Sequence, residues 1–218
     1  YRRVAMPDRG TGAFLGANYG NLRFNGAYTD SVANTFAFVA GEGRTQRGYT
    51  NLGYTIRPTS KWEMSLDLTH TATRLGTNNI PFISRASSDT VAEWTNIVTL
   101  NDRNRVTAGA LFDRIRGTET FEPMPSPPIS AGVRNARGFY AQFEHRFTEQ
   151  LNAVAGVQAN KIGHLDLNAV PRAGLVWTPG GGLSVKALFG KAYRAPSINE
   201  LYLNYPTLRG NPNLLPER

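Results

Sequence analysis

Lys61-Trp62-Glu63-Met64-Ser65-Leu66-Asp67-Leu68-Thr69-His70-Thr71-Ala72 is the stretch that decides the fold. Trp62, Met64, Leu66 and Leu68 share one parity, while Lys61, Glu63, Ser65, Asp67, Thr69 and Thr71 share the other. Successive side chains of a strand point to opposite faces, so this partition survives only in extended backbone. A helix, with about 3.6 residues per turn, would mix the two sets. One face of the segment is greasy and the other is charged or hydroxylated.

The same period recurs on both sides of this segment. Leu22, Phe24, Gly26 and Tyr28 oppose Arg23, Asn25 and Thr29; Leu52, Tyr54 and Ile56 oppose Asn51, Thr55 and Arg57. Val106, Ala108, Ala110 and Phe112 oppose Arg105, Thr107 and Asp113; Phe139, Ala141, Phe143 and Phe147 oppose Gln142, Glu144 and Arg146. Ala153, Ala155 and Val157 oppose Asn152, Gln158 and Asn160, and Leu183, Val185, Ala187 and Phe189 oppose Ser184 and Lys186. Trp94 to Leu100 and Val170 to Thr178 read as strands of less regular pattern, and Thr11 to Asn18 as a further one.

Connections sort by length. They are short at 57–60, 101–104, 147–150 and 179–182, and longer near 32–45, 73–91, 117–135 and 193–218, with 163–168 the shortest of the long set. Short and long alternate, so an up-and-down meander would carry turns at one end and loops at the other, as membrane barrels do. Greek-key sandwiches have no reason to keep that order. The expected strands run roughly 9 to 13 residues, near the about 9–11 that cross a bilayer and above the about 5–6 usual in soluble sheets. Trp62, Phe147 and Trp177 fall near short turns, and Tyr28, Tyr49 and Tyr193 near long loops, as two interfacial girdles require. The fold expected is an antiparallel up-and-down transmembrane β-barrel, present here as about ten strands of a larger one.

Composition narrows the function classes. The apolar runs Phe36 to Ala40, Leu111-Phe112 and Ala153 to Val157 are far shorter than the roughly 20 residues of a helical span. With no cysteine among the 218 residues, there is no disulfide framework, thiolate nucleophile or cysteine metal site. The formal charge of +8 comes mostly from arginine, the lysines being Lys61, Lys161, Lys186 and Lys191. Arg23, Arg47, Arg57, Arg105, Arg146 and Arg172 are scattered over different expected strands. A nucleic-acid binder gathers such residues on one element, so a polar lumen and contacts to anionic lipid are expected instead. Arginine suits both, because its planar fork grips carboxylates and phosphates.

The end of the chain is of another kind. After the strand 183–190 come Tyr193-Arg194-Ala195-Pro196-Ser197-Ile198-Asn199-Glu200-Leu201-Tyr202 and Gly210-Asn211-Pro212-Asn213-Leu214-Leu215-Pro216-Glu217. Pro196 fixes the backbone where the strand leaves the sheet, and Ser197 caps a short helical turn. Gly210-Asn211-Pro212-Asn213 is turn chemistry. Glu217 is placed to pair with Arg194 or Arg209. These are structural roles for Arg194, Pro196, Glu200, Leu201, Gly210, Asn211, Pro212, Asn213, Leu214, Pro216 and Glu217.

This succession closely resembles the late-barrel signature of TonB-dependent outer-membrane receptors. The resemblance implies a barrel of about 22 strands around a plug, energised through the TonB complex at a segment ahead of that plug. It implies a bacterial outer-membrane setting among lipid and lipopolysaccharide, and a substrate such as a ferric siderophore, cobalamin or another scarce nutrient chelate. No catalysis, cofactor, metal or nucleic acid is implied. Residues 1–218 are expected to be an internal portion of the barrel domain, with plug and closing strands elsewhere. The acids Asp30, Glu42, Asp89, Glu119 and Glu122, placed in loops, are too scattered for the calcium sites that cobalamin receptors can carry.

Three alternatives remain open. A passive porin shares barrel, loops and polar lumen, and differs by lacking a plug. A soluble β-repeat adhesin also alternates. A barrel hydrolase needs an acid–base constellation; His70 and His145 have the parity of the apolar face, His164 stands in a loop beside Asp166, and Glu144 with Asp113 is a candidate carboxylate pair. No nucleophile elbow, paired-histidine zinc motif or phosphate loop is present.

Overall fold

Strict alternation leaves one face of each strand without water-compatible side chains, and the chain resolves this within a single layer. The computed structural model describes residues 9–34, 42–77, 82–122, 130–205 and 208–217. The strands are β1 (Arg9–Tyr19), β2 (Leu22–Asn34), β3 (Glu42–Thr59), β4 (Trp62–Thr77) and β5 (Phe82–Asn101), then β6 (Asn104–Glu122), β7 (Ser130–Arg146), β8 (Leu151–Ile162), β9 (Asn168–Gly180) and β10 (Leu183–Gly190). All ten lie in one sheet in chain order, each antiparallel to its neighbours. Among the described residues β1 pairs with β2 alone and β10 with β9 alone. The strands expected at 11–18, 94–100 and 170–178 are present as parts of β1, β5 and β9. The apolar run at 36–40 lies outside the described residues.

Registers confirm the two faces. Leu22, Tyr54, Leu66, Trp94, Ala110 and Phe139 stand side by side across β2 to β7. The greasy row is open: Leu66 is 55 %, Leu68 48 % and Phe139 64 % exposed. The buried apolar residues among those described are Ala136, Leu165 and Leu201, which is no core. A packed sandwich would have covered the rows of Leu and Phe with a second sheet. No described helix is long and apolar enough to cross a membrane, a criterion that does not bear on strands.

Several expectations change. β3 to β7 are 16 to 20 residues long, beyond the expected range. Of the loops expected near 73–91 and 117–135, residues 73–77, 82–91, 117–122 and 130–135 belong to strands, and 78–81 and 123–129 lie outside the described residues. Above Leu68 and Phe112 both faces carry Thr, Ser and Arg, so the hydrophobic period disappears while backbone pairing continues through Thr73↔Ser87 and Ser88↔Arg116. The long β3 also joins Arg47 and Arg57 on one strand. For the same reason Asp30, Glu42, Asp89, Glu119 and Glu122 belong to strands, not loops. Trp62 and Trp177 do sit on the apolar face at the tight-turn end, and Tyr28 near the other. Tyr49, in register with Ala27 and Thr71, faces the polar side, three residues out of step with Leu52. Tyr193 is in the connection after β10.

On the polar face, arginines meet acids across strands: Arg57 to Glu63 at 2.6 Å, Arg105 to Glu144 at 2.6 Å and Arg85 to Glu119 at 2.9 Å. Some contacts span three strands by passing over a glycine. Arg23 on β2 reaches Asp67 on β4 at 2.6 Å across Gly53, where a Cβ would lie 2.7 Å from the carboxylate and 2.9 Å from the guanidinium. The Tyr140 hydroxyl on β7 reaches Glu93 at 2.8 Å and Thr95 at 2.6 Å on β5 by lying over Gly109. A Cβ at Gly109 would collide with the Tyr140 ring and the Trp94 carbonyl. Overfilling of this kind costs about 1–3 kcal/mol. Gly109→Ala is therefore expected to destabilise the intact protein by that amount in urea titrations, and adding Tyr140→Ser should recover only part of it, because the clash with the Trp94 carbonyl remains. Simple additivity of the two changes would contradict the contact.

Candidate functional site at the loop-rich mouth

After Gly190 the chain turns back onto the polar face, at the end of the sheet opposite the tight turns. It forms α1 (Ile198–Tyr202) and a small hairpin of β11 (Asn204–Tyr205) and β12 (Leu208–Arg209). A five-residue helix has too few internal hydrogen bonds to persist alone. Its start is secured by a capping box: the Ser197 hydroxyl accepts from the Glu200 amide at 3.2 Å, and the Glu200 carboxylate accepts from the Ser197 amide at 2.6 Å.

Arg194 organises the base of this loop. Its guanidinium donates to both oxygens of Glu200 at 3.0 Å and to those of Glu217 at 2.9 and 2.6 Å. The backbones of Arg194 and Glu217 exchange two more hydrogen bonds, at 3.1 and 3.0 Å. Glu217 thus takes Arg194 and not Arg209, which is paired through its backbone with Asn204. The Gly210 amide donates to the Leu203 carbonyl at 2.6 Å, and a Cβ there would meet Leu201 and Leu203 backbone at 2.7 Å. The Asn211 amide donates to the Glu200 carbonyl at 2.8 Å, and the Asn211 side chain accepts from the Asn213 amide at 2.9 Å. Leu201 and Pro196 are buried, Pro216 is half-buried, and Pro212 and Leu214 are exposed at the turn. Arg194, Glu200, Leu201, Gly210, Asn211 and Glu217 thus meet in one knot, while Pro212 and Leu214 lie out at the turn.

The knot docks on strands remote in sequence. The Arg134 guanidinium donates to the Pro196 carbonyl at 2.6 Å, and Ser130, 1 % exposed, donates to Asn199 at 2.8 Å. Asn199 donates to Glu119 at 3.3 Å, and Glu119 is held by Arg85. Gly132 lets Ile198 and Tyr202 lie on β7. Beside α1 opens a cleft of about 440 Å³ whose lining includes Leu75, Arg85, Ile115, Glu119, Arg134 and Asn199. Glu119, Ser130 and Arg134 carried no sequence signal of this role; the Ser197-x-x-Glu200 spacing did signal the capping box.

Residues suspected of catalysis are separated. Glu144 pairs with Arg105, while Asp113 neighbours Asp89 and Arg134. His70 and His145 are on the apolar face as their parity required, but each has a polar cross-strand partner that parity did not disclose: Thr90 at 2.8 Å and Asn104 at 2.7 Å.

A family model described as TonB dependent receptor-like, beta-barrel matches residues 3–218. The chain belongs to that family. No match to this receptor-family chain is found among curated proteins. The crystal structure of the siderophore receptor PirA from Pseudomonas aeruginosa superposes with a TM-score of 0.71 at 14 % identity, covering 96 % of this chain and 40 % of PirA. At that identity the likeness is one of fold, and the chain spans well under half of PirA.

The two carboxylates respond to pH in a defined direction. Hydrogen bonds from Arg194, then from the Ser197 amide and hydroxyl, hold Glu200 down to about 2 from an ordinary 4.5. Glu217 is lowered by Arg194 as well, and the two acids raise Arg194 in turn. A depressed carboxylate contributes stability that is complete above its unfolded value and fades as pH falls through the folded one. Protection of the 191–217 segment from protease in the intact receptor should hold above about pH 4.5 and decline toward pH 2. Arg194→Ala should be cleaved readily at all these pH values. Protection indifferent to pH down to 2 in the wild type would show that the knot does not hold the loop.

Proposed function

We propose that this chain is a section of the wall and mouth of an outer-membrane receptor that takes up a scarce nutrient chelate with energy supplied through TonB. Family membership supports the class, and the fold shared with a siderophore receptor makes ferric siderophores the first substrates to test. Cobalamin is the second, with no described feature that favours it. The observation that carries the reading is the loop at 191–217 folded onto the polar face and knotted by Arg194. A receptor uses such a segment to shape a mouth and to meet a plug.

On this reading the apolar face contacts lipid, the polar face lines the lumen, and the chain performs no chemistry. Residues 1–218 are one part of the barrel domain. The exposed edges of β1 and β10 are met by further strands, since hydrocarbon tolerates no unpaired ladder. A plug of about 120–150 residues, a common domain size, closes the lumen and presents the segment that touches the TonB complex.

The intact receptor should bind one member of a panel of ferric chelates and cobalamin, and cells should import that compound only while TonB is functional. Import that persists without TonB, together with swelling of liposomes containing the unmodified protein, would establish a passive porin instead. Arg194→Ala is expected to reduce the yield of folded receptor more than the affinity of the molecules that do fold. Full yield with abolished binding would move Arg194 from structure to ligand contact.

A further inference from the structure

On the polar face acids meet arginines: Asp67 with Arg23, Glu63 with Arg57, Glu119 with Arg85 and Glu144 with Arg105. Asp89 on β5 and Asp113 on β6 hydrogen-bond to each other instead. Registers place them diagonally on that face, Asp113 opposite Val91 and Asp89 opposite Ile115. Both lie past the greasy band, which ends at Leu68 and Phe112. Ile115 also stands opposite Arg134 of β7, whose positive charge acts on Asp113. All three side chains are half-buried.

Two carboxylates offer no hydrogen-bond donor, so a bond between them needs a proton on one. Burial first, then the hydrogen bond and charge of Asp89, push the Asp113 carboxyl up to about 7 from 3.8, against the pull of Arg134. With its one proton the pair carries a single negative charge, which Arg134 balances. The guanidinium is then free to donate to the Pro196 carbonyl at 2.6 Å and so to hold α1 on the wall. One oxygen of each aspartate and the Arg134 Nε are meanwhile buried without a hydrogen-bond partner. Buried polar atoms are ordinarily paired, and a doubly charged pair would draw the Nε–H onto a carboxylate. The other charged groups around the pair are committed. Glu93 of β5 accepts from Tyr140 of β7 at 2.8 Å, and Arg85 of β5 holds Glu119 of β6 at 2.9 Å. On this face β4 presents Thr69, Thr71 and Thr73, and β8 ends at Ile162 opposite Ala136. In the loop, Arg194 clasps Glu200 and Glu217.

We propose that Asp89 and Asp113 form a proton switch on the mouth loop: with one proton between them α1 stays docked on β7, and its loss draws Arg134 off Pro196 and frees α1 from the wall. The Arg194 clasp takes no part in this step, so the base of the loop persists while its docking loosens. The sign follows from the Asp113 carboxyl being raised in the fold. Its support for docking is complete below its ordinary value and is withdrawn as pH rises through the folded one. The switch therefore acts near neutral pH, far above the range in which Glu200 takes up a proton. Release of α1 opens the cleft of about 440 Å³ that Arg134 and Asn199 help to line.

The test follows α1 in the full-length receptor by the distance between nitroxide labels at Leu208→Cys on the hairpin and Ala131→Cys on β7. Between about pH 6 and about pH 8.5 the ionised fraction of a group titrating near 7 rises about tenfold. A longer distance component should grow at least about threefold over that span and shrink again on return. Asp113→Asn, whose amide supplies the donor without a second charge, should keep the short distance throughout. Asp89→Asn serves in its place if that variant does not fold. In infrared difference spectra at the lower pH, the wild type should show a protonated-carboxyl band that the asparagine variant lacks. A distance indifferent to pH in the wild type, an equal response in the asparagine variants, or absence of that band would overturn the proposal.

Discussion

Backbone hydrogen bonding in the absence of water is the constraint on which this architecture depends. A strand exposed to hydrocarbon must give every amide and carbonyl a partner within the sheet, and must turn only apolar side chains outward. Removing a Leu or Phe from water is worth roughly 1.5–3 kcal/mol, and the rows through Leu66, Phe112 and Phe139 leave such side chains uncovered by protein. Their stabilisation must come from the surroundings. An apolar surface of this continuity, with no core among the described residues, is otherwise an aggregation hazard.

With no core among the described residues to fix its shape, the sheet relies on its inner face. Single half-exposed ion pairs contribute only about 0.2–1 kcal/mol each, so their effect comes from number and span. Contacts over Gly53 and Gly109 tie alternate strands together and resist sliding of the strand between them. The mouth loop extends the same principle, joining the end of β10 to β6 and β7 through Arg134, Ser130 and Glu119.

Much of this was legible in the residues. Period-two patterning located the ten strands of the large sheet, including the less regular β5 and β9, because a lipid-facing row admits few polar substitutions; the short β11 and β12 fell inside what read as loop. It failed above the band, where Thr71 to Arg74 and Ser84 to Ser88 are wet on both faces and the pattern no longer distinguishes strand from loop. Parity misled only where it was not applied, as at Tyr49. Within the site, the local pieces were readable from Pro196, Ser197, Gly210 and Glu217. The docking of α1 was not, since the separations of 62 to 80 residues between its partners leave no local trace.

The Arg194 knot has a consequence for how such a mouth diversifies. Because residues 194, 200 and 217 are clasped together at the base, the β11–β12 hairpin between them hangs from that clasp as a pendant. Substitutions in the hairpin can therefore accumulate while the clasp preserves the foundation.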